Sequence, residues 1–253
     1  MTSRGSMDTL SLYHCIGQRD PGSVVFTSYY LSPLSLDRHS VIADFGSGYG
    51  NRATWVSRSR CCTMHLFEKE ARCLDIAHER AEEGGASHFI TLNLVPEGDY
   101  LQIPTPVDGY DLLITEGLSF EMDTLQHIST FKTHVKPGGA LVVTAPGIIH
   151  RGASDEVTSI ISSRRGAPLA TLDAYHERIA AVEGIRLIHQ VTLPLHTWEE
   201  HYQNLGRTLR GLLRSQHVQA DDEVIRQAQA ELDWYRSVGR GQVFLQAFVL
   251  GVD

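Results

Sequence analysis

The sequence predicts an α/β fold: a mostly parallel seven-stranded sheet with helices on both faces and a helical cap. Three observations carry this expectation. From Val41 onward, short apolar runs alternate with segments of helical periodicity, the pattern of strands covered by crossover helices. The first apolar run ends in a carboxylate and breaks into a glycine cluster, Asp44-Phe45-Gly46-Ser47-Gly48-Tyr49-Gly50. The chain has 253 residues, 42% hydrophobic and 21% charged, which is enough for one sizeable core.

The elements follow in order. Residues 1–40 carry turn signals and the aromatic pair Tyr29-Tyr30, and read as an N-terminal cap or lid. Residues 41–150 form the ligand-binding core. Its strands are Val41–Phe45, Thr63–Glu68, Phe89–Val95, Tyr110–Thr115 and Ala140–Ala145. One helix runs to about Arg60, and another covers Lys69 to Glu83 and stops at Gly84-Gly85. A third places Ile128, Phe131 and Val135 on one face before the turn Lys136-Pro137-Gly138-Gly139. Leu172, Tyr175, Ile179 and Val182 mark a further helix, and Ile185–Leu193 a sixth strand. Residues 194–241 are a helical insertion before the last strand, Val243–Leu250. One insertion helix carries Trp198, Tyr202, Leu205, Leu209 and Leu212; the other opens at Asp221-Asp222-Glu223 and runs to Gly239. With no repeat or linker, residues 1–253 read as a single domain.

Composition excludes several functions. Lys and Arg total 22 against 30 acids, a formal charge of −8, which disfavours a nucleic-acid partner. No apolar run reaches the ~20 residues of a membrane helix, and residues 1–12 lack a secretory core, so a cytoplasmic protein is expected. The four cysteines (Cys15, Cys61, Cys62, Cys73) show no ligand spacing, so no metal is expected and free thiols are.

The glycine cluster carries the functional signal. A strand that ends in a carboxylate and turns through glycines into a helix brings backbone close to a ligand at the sheet's carboxyl edge. A dinucleotide fingerprint needs glycine at position 51, where Asn51 stands, and a P-loop needs a Gly-Lys-Ser/Thr that is missing. The pattern is instead acid-x-G-x-G-x-G, with a plain tight turn as the alternative. Two acids add to it. Glu68 ends the second strand, 18 residues after Gly50, where a carboxylate can accept both hydroxyls of a ribose. Asp99 follows the third strand and can accept an adenine amino hydrogen while Tyr100 or Leu101 packs on the ring; Asn93 is its rival.

Together these residues resemble the class I S-adenosylmethionine (SAM)-dependent methyltransferases, in particular the small-molecule branch that includes ubiquinone/menaquinone-type enzymes. Asp44 to Gly50 is similar to the first family motif, Glu68 to the ribose acid, Gly98-Asp99 to the adenine-side motif, and Asp111 to Glu116 to the fourth strand and its exit loop. The resemblance implies a Rossmann-like sheet whose last strand is antiparallel, SAM across the carboxyl ends, and a variable cap over a small-molecule acceptor. It implies cofactor contacts from Asp44, Gly46, Ser47, Gly48, Gly50, Glu68, Asp99, Tyr100 and Glu116. Glu116 and His150, with His196 as a further choice, are the candidate bases on carboxyl-end loops. Tyr29, Tyr30, Trp198, His201 and Tyr202 are the candidate acceptor contacts. A non-catalytic SAM-binding partner and a NAD-dependent oxidoreductase are the alternative readings.

Overall fold

A computed structural model describes residues 8–17, 21–22, 24–95, 99–150, 153, 155–215 and 222–253. Gly98 and Asp221 lie outside them. Seven strands form one sheet in the order β3-β2-β1-β4-β5-β7-β6. They are β1 (Val41–Phe45), β2 (Thr63–Glu68), β3 (Ile90–Leu94), β4 (Tyr110–Ile114), β5 (Val135–Ile148), β6 (Ile185–Thr192) and β7 (Val243–Val252). The first five pair in parallel, and β7 enters antiparallel between β5 and β6. The order reverses between β1 and β4, which opens a crevice at their carboxyl ends.

Central strands are buried on both faces, so their apolar runs are nearly continuous. Ile42, Met64, Leu66, Leu112, Ile114, Val142 and Val249 face one core. Ala43, Phe45, Phe67, Leu113, Leu141 and Phe248 face the other. The first core is covered by α3 (Asn51–Arg60) and α4 (Ala71–Glu83), together with α1 (Thr9–Ile16) and α2 (Val24–Leu31). The second is covered by α5 (Ile128–Phe131) and α7 (Leu172–Ala180). The remaining helices are α6 (Asp155–Arg165), α8 (Leu195–Arg214) and α9 (Glu223–Trp234), the last running into a π-turn, Tyr235–Gly239.

Several elements differ from the expectation. The helix expected before the fifth strand is a single turn, α5, flanked by tight 3-10 turns at Thr124–His127 and Lys132–His134, and Val135 belongs to β5. β5 also extends through the expected turn, because Val135 pairs with Tyr110 across a register shift and Gly138 supplies φ +79°. The N-terminal cap holds two short helices that periodicity did not reveal. α2 shows no apolar stripe, because Phe26, Thr27, Tyr30 and Leu31 are buried while the equally apolar Val25 and the aromatic Tyr29 are exposed. No helix among the described residues is long and apolar enough to cross a membrane.

The cap is tied together by one acid. Glu231, buried on α9, accepts hydrogen bonds from Tyr13 Oη of α1 at 3.1 Å and Tyr202 Oη of α8 at 3.2 Å. Arg164 of α6 reaches the same carboxylate at 3.2 Å. A single buried group therefore links four helices that come from both ends of the chain.

Candidate functional site

The carboxyl ends of β1, β2 and β4 open onto a cavity of about 850 Å³. The turn from β1 to α3 winds through Gly46, Gly48 and Gly50 at φ +65°, +54° and +72°, all left-handed, which glycine adopts at least cost. Two of the three are also pressed against neighbours. A Cβ on Gly50 would lie 2.8 Å from the Ala77 Cβ, so this glycine lets α4 close on the turn. A Cβ on Gly46 would lie 2.9 Å from the Gly117 carbonyl carbon, and one on Gly117 only 1.7 Å from the Gly46 oxygen. The backbone after β1 thus touches the backbone after β4. Gly117 escaped the sequence reading because no local pattern marks a glycine needed by a partner 71 residues away.

Around this turn lie the expected polar groups. Glu68, at the end of β2, accepts from Gly48 N at 2.9 Å and from Lys69 N at 2.8 Å. Burial pushes its carboxyl above the usual range, against the pull of these amides. Ser47 Oγ lines the cavity and is buried without a hydrogen-bond partner. A buried hydroxyl in that state costs free energy that a polar ligand in the cavity removes. Tyr100 lines the cavity and stacks on Phe45 with ring centroids 6.1 Å apart. Asp99 does not line it; the residue is exposed and its carboxylate accepts from Leu101 N at 3.3 Å. Asn93 is turned onto the neighbouring strand, donating to the Leu66 carbonyl of β2 at 3.1 Å.

The amino end of α3 holds a group that the sequence reading missed. Arg52 forks onto Asp44, Nη2 to Oδ1 at 2.5 Å and Nε to both oxygens at 3.2 Å. Its Nη1 stands 3.2 Å from Glu116 Oε2. Tyr30 Oη donates to that same oxygen at 2.6 Å. Burial pushes the Asp44 carboxyl up against the pull of Arg52, and pushes the Tyr30 phenol far up with Glu116 adding to the effect. The sequence offers only a weak signal for Arg52: a cation in the first turn of a helix opposes the helix dipole by a few tenths of a kcal/mol to about 1 kcal/mol, too little to mark it out from other helical arginines. Asn51, where a dinucleotide fingerprint has glycine, instead fastens the N-terminal segment, donating to the Gly17 carbonyl at 2.9 Å and accepting from Arg80 at 2.5 Å.

The other expected residues are not brought to the cavity lining. Tyr29 is 49% exposed and faces away from the site that its neighbour Tyr30 enters, because adjacent helical residues point in different directions. His150 and His196 are exposed. Trp198, His201 and Tyr202 are buried in the packing of α8, where Tyr202 stacks on Tyr235 at 3.9 Å. An edge-on contact between Trp198 and Phe120, at 6.0 Å, joins that cluster to the cavity wall. Desolvation, aided by Arg164, lowers the His201 pKa to about 3, so the ring stays neutral.

This strand order, with the antiparallel β7 and a glycine turn at the switch point, is the Rossmann-like fold of the SAM-dependent methyltransferases. Among solved structures the chain is similar to YjhP from E. coli, with 18% identity and a TM-score of 0.79, covering 97% of this chain and 99% of that one. It is similar to a SAM-dependent methyltransferase from Geobacter sulfurreducens in complex with S-adenosyl-L-homocysteine, at 17% identity and TM-score 0.76, over 96% and 98% of the two chains. It is also similar to the [4+2]-cyclase SpnF, at 19% identity and TM-score 0.69, over 90% and 81%. No protein-family model matches the sequence, and no curated protein matches it significantly.

Proposed function

We propose that the chain is a SAM-dependent methyltransferase acting on a small molecule. One observation carries the proposal: a left-handed glycine turn, an unpartnered buried hydroxyl on Ser47 and the carboxylate of Glu68 line a single cavity at the switch point of a methyltransferase fold. This donor set suits a nucleoside, with the turn admitting close backbone approach and Glu68 accepting ribose hydroxyls. Tyr100 supplies an aromatic wall for a base. The similarity to a methyltransferase in complex with S-adenosyl-L-homocysteine supports the choice of nucleoside.

When bound, SAM supplies a sulfonium methyl that is already electrophilic. The chain's own residues have the task of holding reactants in line and excluding water, worth on the order of 7–11 kcal/mol in favourable cases. Arg52, Asp44 and Glu116 form a buried charged wall, and Tyr30 pins Glu116 from the N-terminal cap. Arg52 and Tyr30 both hold Glu116 through its Oε2, which fixes the orientation of the carboxylate. Positioning is therefore the role of Glu116 that this geometry favours, ahead of general-base catalysis. The cavity volume, about 850 Å³, and the net charge of −8 support a small acceptor over a polynucleotide. No disulfide joins Cys15, Cys61, Cys62 or Cys73, which supports residence in the reducing cytoplasm.

Two measurements test the proposal. Calorimetry is expected to show saturable binding of SAM and S-adenosyl-L-homocysteine and none of NAD; binding of NAD alone overturns it. Incubation with methyl-labelled SAM and a metabolite extract is expected to move label into small molecules. Label appearing only in protein or RNA overturns the acceptor class, and binding without any transfer favours a non-catalytic partner.

A further inference from the structure

Resting on the donor proposed above, we infer that Arg52 anchors the carboxylate of the donor's amino-acid end, using the nitrogen it does not commit to Asp44. The guanidinium's donors are unevenly used. Nε and Nη2 form a fork onto Asp44, whose side chain is fully buried. Nη1 faces Glu116 Oε2 at 3.2 Å as an ion pair, and none of the hydrogen bonds that Arg52 makes among the described residues comes from it. Arg52 and Glu116 both line the cavity, with 12% and 10% of their side chains exposed.

Charge points the same way. One guanidinium set between two carboxylates leaves an excess of one negative charge in a water-poor site. An amino-acid zwitterion on a sulfonium nucleoside carries one net positive charge, and its two ends match the wall. The carboxylate takes Nη1 of Arg52, and the ammonium takes the Glu116 oxygen released in exchange. No ion is left unpaired by this swap. Two other arginines line the cavity and suit the role less. Arg80 is committed to the Tyr49 carbonyl at 3.3 Å and to Asn51 at 2.5 Å. Arg58 sits in the exposed last turn of α3, at the opposite end of the helix from the strand edge.

The test is calorimetric binding of S-adenosyl-L-homocysteine and of 5′-methylthioadenosine, which has the nucleoside and sulfur but no amino acid. R52Q is expected to weaken S-adenosyl-L-homocysteine by ~10–100-fold, the loss of a charge-assisted contact, and to leave methylthioadenosine within about threefold. R52K, which keeps the charge and loses the fork, is expected to fall between R52Q and wild type. R58Q is expected to match wild type with both ligands. The double variant R52Q/D44N restores the wild-type charge of the cluster and leaves Glu116 in place for the ammonium. It therefore separates a lost anchor from an uncompensated buried acid, and it is expected to remain weak for S-adenosyl-L-homocysteine alone. Equal weakening of both ligands by R52Q, or recovery of S-adenosyl-L-homocysteine affinity in the double variant, overturns the inference while leaving the donor reading intact. A wild-type chain that binds neither ligand overturns the donor reading, and the inference with it.

Discussion

At the crevice, Asp44, Arg52, Glu116 and Tyr30 bury their polar atoms against one another. In the cap, Trp198 Nε1, both nitrogens of His201 and the Tyr235 hydroxyl are buried with no hydrogen-bond partner among the described residues. The charged cluster of the crevice is paired throughout, whereas in the cap the aromatic cluster beside the paired Glu231 leaves its polar edges over. Burying a carboxylate and a guanidinium is tolerated only when they are paired, so the crevice network must be assembled as a unit. A ring edge without a partner costs less, and the stacking of Trp198, Tyr202 and Tyr235 offsets it. The charged crevice cluster is therefore where geometry is demanded, and the aromatic cluster of α8 and the π-turn is where bulk carries more of the packing.

The sharpest way to break this contrast is at Gly117. A Cβ there would come within 1.7 Å of the Gly46 oxygen, so backbone itself must move. Gly117→Ala is expected to cost about 3 kcal/mol or more, lowering Tm by roughly 6–12 °C and abolishing donor binding. Thermal unfolding with and without S-adenosyl-L-homocysteine checks it, and a wild-type Tm refutes the tight contact.

His201 tests the cap through pH. Its folded pKa of about 3 lies below the ordinary 6.5, so between those values the unfolded chain binds a proton that the folded chain refuses. Stability contributed by the neutral ring is present above pH 6.5 and is lost as pH falls toward 3. His201→Leu removes this dependence, and is expected to be neutral at pH 7 yet more stable than wild type by on the order of 2 kcal/mol at pH 5. Urea unfolding at the two pH values measures the difference, and parallel losses in both proteins place the titration elsewhere.

The smallest effect on stability is expected at Glu68. Burial raises its carboxyl pKa, so the folded state holds the proton more tightly than the unfolded chain. As pH rises above the ordinary 4.5, ionisation becomes a cost that only the folded state bears. Glu68→Gln is expected to hold or raise Tm at pH 7, with the gain fading below pH 4.5, while S-adenosyl-L-homocysteine binds roughly tenfold more weakly. Stability and affinity falling together would make Glu68 a structural support of the turn instead of a ligand contact.

Much of the sheet was legible because strand and helix periods are local. The runs at Val41–Phe45 and Thr63–Glu68 coincide with β1 and β2 residue for residue. The last strand was read two residues short because Gly251 and Val252 continue the pairing, Gly251 opposite both Ala140 and Arg186. The acid-x-G-x-G-x-G cluster predicted a left-handed turn because positive φ is a property of single residues. Its acid, Asp44, was visible; the cation that neutralises it was not, since Arg52 reads as an ordinary helical arginine until the fold brings Glu116 beside it. Trp198, His201 and Tyr202 of the insertion were expected at the acceptor, and they are found in packing instead, because an aromatic stripe at helical spacing marks a buried face without saying what covers it.

What the chain determined by itself was the alternation of strands and helices, the bend after Asp44 and the placing of Glu68 at a strand end. Each depends on residues within a turn or two of one another. Tertiary structure alone decided that Tyr30 meets Glu116 across 86 positions, that Tyr13 meets Glu231 across 218, and that Gly46 rests on Gly117. Hydrophobic periodicity says which face of an element is buried and nothing of what lies opposite. The partners of a buried charge are chosen by the packing of whole elements, which becomes readable only once the sheet has closed.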